Sequence, residues 1–260
     1  MPLTYTNYLK VDELLSLQVP KSDPAEHDET LFIVVHQVYE LWFKQLLHDF
    51  EFLGEQFRTN NIGRALHLLK RVKAIFRTLI QQIEVMETMT PLEFNTFRDR
   101  LESASGFQSY QFRCLEFTLG AKKKEVMERF PLESQGRKLL QQYYEAPSVW
   151  DNFLVCLVHN DYEIPEDLLQ PSYARANQSH GKVESALLRV YQSDFRLTEV
   201  CEYLVDIDCA QQEWRYKHVK MVERTIGHKQ GTGGSAGVDY LIQTLFKPVF
   251  IDLLSVRQKF

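Results

Sequence analysis

An all-α fold is predicted by three features of this 260-residue chain. Apolar residues recur at spacings of three and four over long stretches, β-branched alternation at period two is hard to find, and only eleven glycines and nine prolines punctuate the chain. The first pattern is that of amphipathic helices, and the missing second is that of half-buried strands.

Asp28 is the expected cap of a long helix through about Phe57, in which Leu31, Phe32, Val35, Tyr39, Trp42, Phe43, Leu46, Leu47 and Phe50 form a wide apolar stripe. So wide a stripe belongs at the centre of a bundle. A second helix, from about Gly63 to Met89, gathers Leu68, Leu69, Val72, Ile75, Phe76, Leu79, Ile83 and Met86 on one face, and antiparallel packing on the first is expected. Thr90-Pro91-Leu92-Glu93 combines a cap, a proline at the first helical position and an early acid, so a third helix starts there and runs to about Leu101. A fourth follows the break at Ser103-Ala104-Ser105-Gly106. Between about Gly120 and Phe195, shorter amphipathic pieces are separated by Phe130-Pro131, Ala146-Pro147, Ile164-Pro165 and the polar stretch from Gln170 to Gly181. Another long helix is predicted from about Leu197 to Ile226, after which five of the eleven glycines crowd between Gly227 and Gly237.

A chain of this length, 44% hydrophobic, can bury about three-quarters of the surface its unfolded form exposes, enough for a full core and an interior pocket. The net charge of −5, with acids and bases interspersed, offers no positive field to gather a phosphate backbone, so nucleic acid is not an expected partner. Lys122-Lys123-Lys124, the densest basic run, reads as a solvated helix face. The N-terminus lacks a signal layout and no window approaches the apolar length of a membrane span, so a soluble, cytoplasmic protein is expected. Cys114, Cys156, Cys201 and Cys209 are far apart and without partner histidines at zinc spacing, which predicts buried free thiols.

Gly231-Thr232-Gly233-Gly234-Ser235-Ala236-Gly237 formally matches G-x-G-x-x-A, but a dinucleotide fingerprint follows a strand, whereas a helix precedes this segment. No Gly-Lys-Ser/Thr ending makes it a P-loop either. What remains is a flexible linker or a loop whose backbone approaches a ligand closely. Two of the eight histidines differ from the rest in their surroundings. His36 lies in the broadly apolar run Leu31 to Val38, and His218 sits one helical turn from both Trp214 and Val222. An imidazole among apolar neighbours is costly without a partner. His36 and Glu40 share a helix face, yet a carboxylate-bridged di-iron centre needs Glu-x-x-His on two helices and no second copy exists. One axial histidine is compatible with haem. Arg98, after Phe94 and Phe97, suits either a ligand carboxylate or a structural acid such as Glu102. On the residues alone, an enzyme, a non-catalytic haem-binding protein and a cofactor-free helical scaffold all stay open.

Four segments in order, LTYTNYLKVDELLSLQ, HDETLFIVVHQVYELWFKQLLHDF, METMTPLEFNTFRDRLESASGFQSYQFR and WRYKHVKMVERTIGHKQGTGGSAG, resemble the tryptophan 2,3-dioxygenase family of the shorter, bacterial type. The resemblance implies a helical bundle enclosing one b-type haem per subunit, ferrous in the active form, within a homotetramer. The implied reaction is the first step of kynurenine-route tryptophan catabolism: both atoms of O2 enter L-tryptophan, whose indole ring opens to give N-formylkynurenine. It implies His218 as the iron ligand, with its other ring nitrogen hydrogen-bonded, and His36 as the distal residue that contacts the indole N–H. Phe32 and Phe94 would wall the substrate pocket, Arg98 would take the substrate carboxylate, and Thr232 would lie near its ammonium and carboxylate. Ser105 and Gly106 would form the distal turn beside the haem. Tyr5, Tyr8 and Leu9 would belong to an N-terminal arm, residues 1–26, reaching a neighbouring subunit's active site, with residues 27–260 forming the haem-binding domain. Phe94 stands where bacterial relatives carry tyrosine, which removes a hydroxyl contact to the carboxylate. The segment from Gly231 to Gly237 would be a lid, mobile without substrate and ordered with it.

Overall fold

The computed structural model describes residues 2–169, 173–229, 231 and 237–260, and among them the regular elements are all helical. In chain order these are α1 (Tyr5–Leu9), α2 (Val11–Leu15), α3 (His27–Arg58), α4 (Ile62–Met86), α5 (Pro91–Arg98), α6 (Tyr110–Thr118), α7 (Lys124–Met127), α8 (Gln135–Glu145), α9 (Val149–His159), α10 (Gly181–Ser193), α11 (Phe195–Ile226), α12 (Val238–Ile242) and α13 (Ile251–Ser255), with short 3-10 turns between some of them.

Of the three long helices, α4 packs on both α3 and α11, and α9 and α6 flank α3. The three-residue link between α3 and α4 forces them antiparallel, as the sequence predicts. Leu46, Leu53 and Phe57 of α3, Leu69 and Val72 of α4, Phe153 and Leu157 of α9, and Val200, Leu204 and Ile207 of α11 all lie in the solvent-free core. Each such side chain contributes about 1.5–3 kcal/mol by leaving water. A second, smaller apolar cluster joins Val35, Met86, Met89, Phe94 and Phe97 at one end of α3, where α5 packs.

Helix ends correct the sequence reading in detail. Asp28 does not cap α3, which starts one residue earlier; it lies in the first turn, where its charge favours the positive end of the helix dipole. Asn61 caps α4 by accepting from Arg64 N at 3.3 Å, so that helix begins before Gly63, and Asp194 caps α11 through Leu197 N at 2.9 Å. The expected Thr90–Glu93 box is present in both directions, at 2.7 and 3.3 Å, with Pro91 at the first position. Lys122 is not part of a solvated face. It is 5% exposed, its Nζ donates to the carbonyls of Ala146 and Tyr173, and burial lowers its pKa to about 8. Three of the four cysteines are buried thiols as expected, whereas Cys209 is exposed.

Two buried acids tie the C-terminal segment to the bundle. Asp208 of α11 accepts from Val249 N and Phe250 N at 2.9 and 3.2 Å, and Asp252 accepts from His180 N at 2.7 Å. At the opposite extreme, α1 and α2 bury nothing, and Leu3, Tyr5, Tyr8, Leu15 and Leu17 are all more than half exposed.

Candidate functional site

A cavity of about 270 Å³ opens between α3, α5, α6 and α11, near the lower end of the size range of ligand pockets. Its walls are mainly apolar, with Phe32, Phe43, Phe94, Phe112, Trp214 and Met221 among them, and His36, Glu40, Arg98, Arg113, Arg215 and His218 are its ionisable histidine, carboxylate and arginine groups. Ser105 and Gly106, in the turn before α6, line it too, as do Gly231 and Gly237. Residues far apart in the chain, His36, Arg98 and His218 among them, therefore line one cavity.

His36 is fixed by its own helix. Its Nδ1 lies 2.7 Å from Phe32 O, one turn back, and a carbonyl can only accept, so Nδ1 carries the proton and Nε2 is left as an acceptor. The Phe32 ring packs on the imidazole with centroids 4.1 Å apart. Desolvation in the cavity wall lowers the pKa of His36, more than the contact with Phe32 O and the charge of Glu40 raise it.

His218 faces the same cavity from α11 and stacks almost parallel on Trp214, at 5.3 Å and 8°. Burial, with smaller contributions from His36, Arg215 and Arg113, pushes its pKa down to about 4, so the ring is neutral with a lone pair available near pH 7. The hydrogen bond expected on its second nitrogen is not made by any described residue; the indole plane of Trp214 sets the ring's orientation instead.

Arg98 is the last residue of α5, and Phe94 sits one turn before it. Phe94 packs edge-on to Phe97 at 5.4 Å and against Phe32 at 5.8 Å, which anchors the helix end that presents the guanidinium. Glu102 lies beyond a 3-10 turn with a positive φ of 48°, so it is not a helical partner four residues along the same face.

Gly227 ends α11 at φ 59°, and Gly237 has the same φ; a Cβ on Gly237 would meet Lys229 O at 2.6 Å. The two ends of the glycine-rich segment are thus drawn together beside the cavity. Thr232, assigned a role by the resemblance, and the rest of 232–236 lie outside the described residues. Tyr5, Tyr8 and Leu9 do not reach this chain's own cavity and are exposed on the arm.

The family model described as tryptophan 2,3-dioxygenase matches residues 1–130 and 131–260, which is the whole chain. A tryptophan 2,3-dioxygenase of Herpetosiphon aurantiacus is 51% identical over 98% of this chain and 97% of its own length. The chain belongs to the tryptophan 2,3-dioxygenase family. The proteins of that name from Anaeromyxobacter dehalogenans and Xanthomonas oryzae pv. oryzae are 50% and 40% identical, each over 98% of this chain, and cover 95% and 87% of their own lengths.

Tryptophan 2,3-dioxygenases depend on haem, and the donor set of the cavity suits that group. Among the described residues no cluster of three or more His, Cys, Asp or Glu could hold a bare metal ion. A porphyrin brings four nitrogens of its own and asks the protein for one strong donor and apolar walls, which neutral His218 and the surrounding rings would supply. Arg113 and Arg215 line the same cavity, which no spacing in the sequence signals, because α6 and α11 must fold together before the two face it.

Proposed function

We propose that this chain binds one b-type haem per subunit through His218 and uses it to open the indole ring of L-tryptophan with O2, giving N-formylkynurenine. The observation that carries this reading is that His36 and His218, on separate helices, line one mainly apolar cavity that Arg98 also reaches. The full-length match to the family supports it. Bound haem iron would supply the activation of O2 that lets both atoms enter the electron-rich indole double bond.

The protein's own task is to orient, neutralise and exclude water. Phe32 and Phe94 offer flat apolar faces to the indole, and Arg98 offers a fork to its carboxylate. His36 Nε2, held as an acceptor by the Phe32 carbonyl, takes a hydrogen bond from the indole N–H. A neutral imidazole is too weak a base to remove that proton outright, so His36 positions the ring. Ser105 and Gly106 contribute a narrow turn on the same side. In this reading the exposed apolar arm, residues 1–26, covers the cavity of a neighbouring subunit in a homotetramer, which would bury Tyr5, Tyr8 and Leu9. The domain proper is then residues 27–260. No helix among the described residues is long and apolar enough to cross a membrane, and four unpaired cysteines suit a reducing cytoplasm.

The deciding experiment is anaerobic reduction of the purified protein with haem, followed by addition of tryptophan and O2. Equimolar consumption of both and appearance of N-formylkynurenine are expected; a haem protein that binds tryptophan without turnover would sink the enzymatic reading. His36→Ala should lower kcat modestly, by roughly 10-fold, since it removes an orienting hydrogen bond and not the oxidant. Because His36 loses its acceptor role only on protonation, and its pKa is lowered, the acid limb it causes in kcat/KM lies below the ordinary histidine value of 6.5 and disappears in His36→Ala. Complete loss of turnover with normal haem and tryptophan binding would show that His36 does chemistry as well.

A further inference from the structure

Arg129 follows α7 and is not among the residues that line the cavity. Its guanidinium stands 4.2 Å from the ring centre of Phe107 and 5.6 Å from that of Tyr240. The two rings meet edge to face at 5.4 Å. Phe107 belongs to the turn Gly106–Gln108 beside the cavity and Tyr240 to α12, so one exposed cation joins two segments far apart in the chain. A second guanidinium, that of Arg113 on α6, lies 4.5 Å from the Phe107 ring. Arg113 is only 7% exposed and is itself fixed, because Glu116 accepts from its Nη1 at 2.7 Å and also from Arg215 of α11. Phe107 is thus held by a buried cation on the inside and by Arg129 at the surface. Each cation is attracted to the electron-rich face of the ring.

The helix on the far side of this stack is lightly tied. Apart from packing on α11, α12 has five residues of which only Val238 is buried. Its hydrogen bonds stay within the segment: Leu241 N donates to Gly237 O, and Thr244 N donates to Leu241 O. The contact of Asp239 with His228, at 3.6 Å, is exposed on both sides and contributes little. Yet Tyr240, Leu241 and Thr244 line the cavity, so any motion of this short helix moves a wall of the site. We infer that Arg129 is a positioning residue for the amino-acid site: by bridging Phe107 and Tyr240 it fixes α12 against the turn beside the cavity, and so sets the wall that α12 presents to the substrate. The inference deepens the tryptophan reading and rests on it. Loss of Arg129 acts on the fraction of molecules whose wall is in place, which lowers apparent affinity and leaves the chemical step alone.

The test measures tryptophan Kd from the Soret band of the haem-loaded protein, KM and kcat, and amide hydrogen exchange in α12. Arg129→Gln should raise Kd and KM together by about 5- to 10-fold and leave kcat and the ligand-free Soret band unchanged. Exchange at Leu241 N and Thr244 N should quicken, while that in the middle of α11 should not. Arg129→Lys, which keeps a cation beside the rings, should recover most of the affinity. In a Tyr240→Leu background, where the bridge is already broken, Arg129→Gln should add no further loss. Unchanged Kd and exchange in Arg129→Gln overturn the inference, as does full additivity of the two substitutions. A matching loss of haem affinity or of Tm would assign Arg129 to general stability and overturn it too. If the wild type itself does not bind tryptophan, the functional reading fails and the inference with it. The exchange comparison, which needs no ligand, tells that outcome from a failure of the brace alone.

Discussion

His218→Ala is expected to abolish turnover and to strip the haem of its axial protein ligand. The effect should exceed the roughly 10- to 100-fold in metal affinity usually lost when a group that merely orients a ligand is removed. Folding should survive, because the ring's described side-chain contact is its stacking on Trp214 and it faces a cavity. Far-ultraviolet circular dichroism should therefore match that of the wild type, while the histidine-ligated Soret spectrum is lost. Imidazole added to the variant should restore part of that spectrum by entering the space the side chain vacates. A variant with an unchanged ligation spectrum would mean that another residue holds the iron.

Arg98→Ala should weaken tryptophan binding by about 30- to 1000-fold, equivalent to roughly 2 to 4 kcal/mol for a lost bidentate, charge-assisted contact. The local structure makes this a clean substitution. The helix that carries Arg98 is fixed by the Thr90–Glu93 box at one end and by buried Phe94 and Phe97 along its length, so truncation of its last side chain leaves the backbone in place. Tryptamine, which has the indole and the ammonium but no carboxylate, should bind wild type and Arg98→Ala alike. Arg98→Lys should recover only part of the affinity for tryptophan, since an ammonium cannot reproduce the planar fork. Equal loss for tryptophan and tryptamine would instead point to a structural role.

Long helices were readable because periodicity is averaged over many residues. In α3 and α4 a stripe of seven or more apolar positions outweighs any single exception, and a box such as Thr90–Glu93 is a local hydrogen-bond pattern that needs no tertiary context. Short-range signals that depend on burial were less reliable. Lys122 looks like its neighbours Lys123 and Lys124, yet the carbonyls of Ala146 and Tyr173, 24 and 51 residues away, give its ammonium a buried seat. Asp28 resembles a cap, but the helix begins before it, at His27, with Glu26 in the cap position.

By itself the sequence determined the helical class, the register of the central helices, the punctuation around α5 and, through four ordered segments, the family to which the chain belongs. Only the tertiary structure decided that Trp214 orients His218 by stacking, that Phe32 O selects the tautomer of His36, and that Arg113 and Arg215 leave one carboxylate between them. The physical reason is one of range. A helical stripe is written in spacings of three and four, whereas the charge balance of a pocket depends on groups brought together from α6 and α11, about a hundred residues apart, whose mutual burial turns weak surface interactions into strong ones.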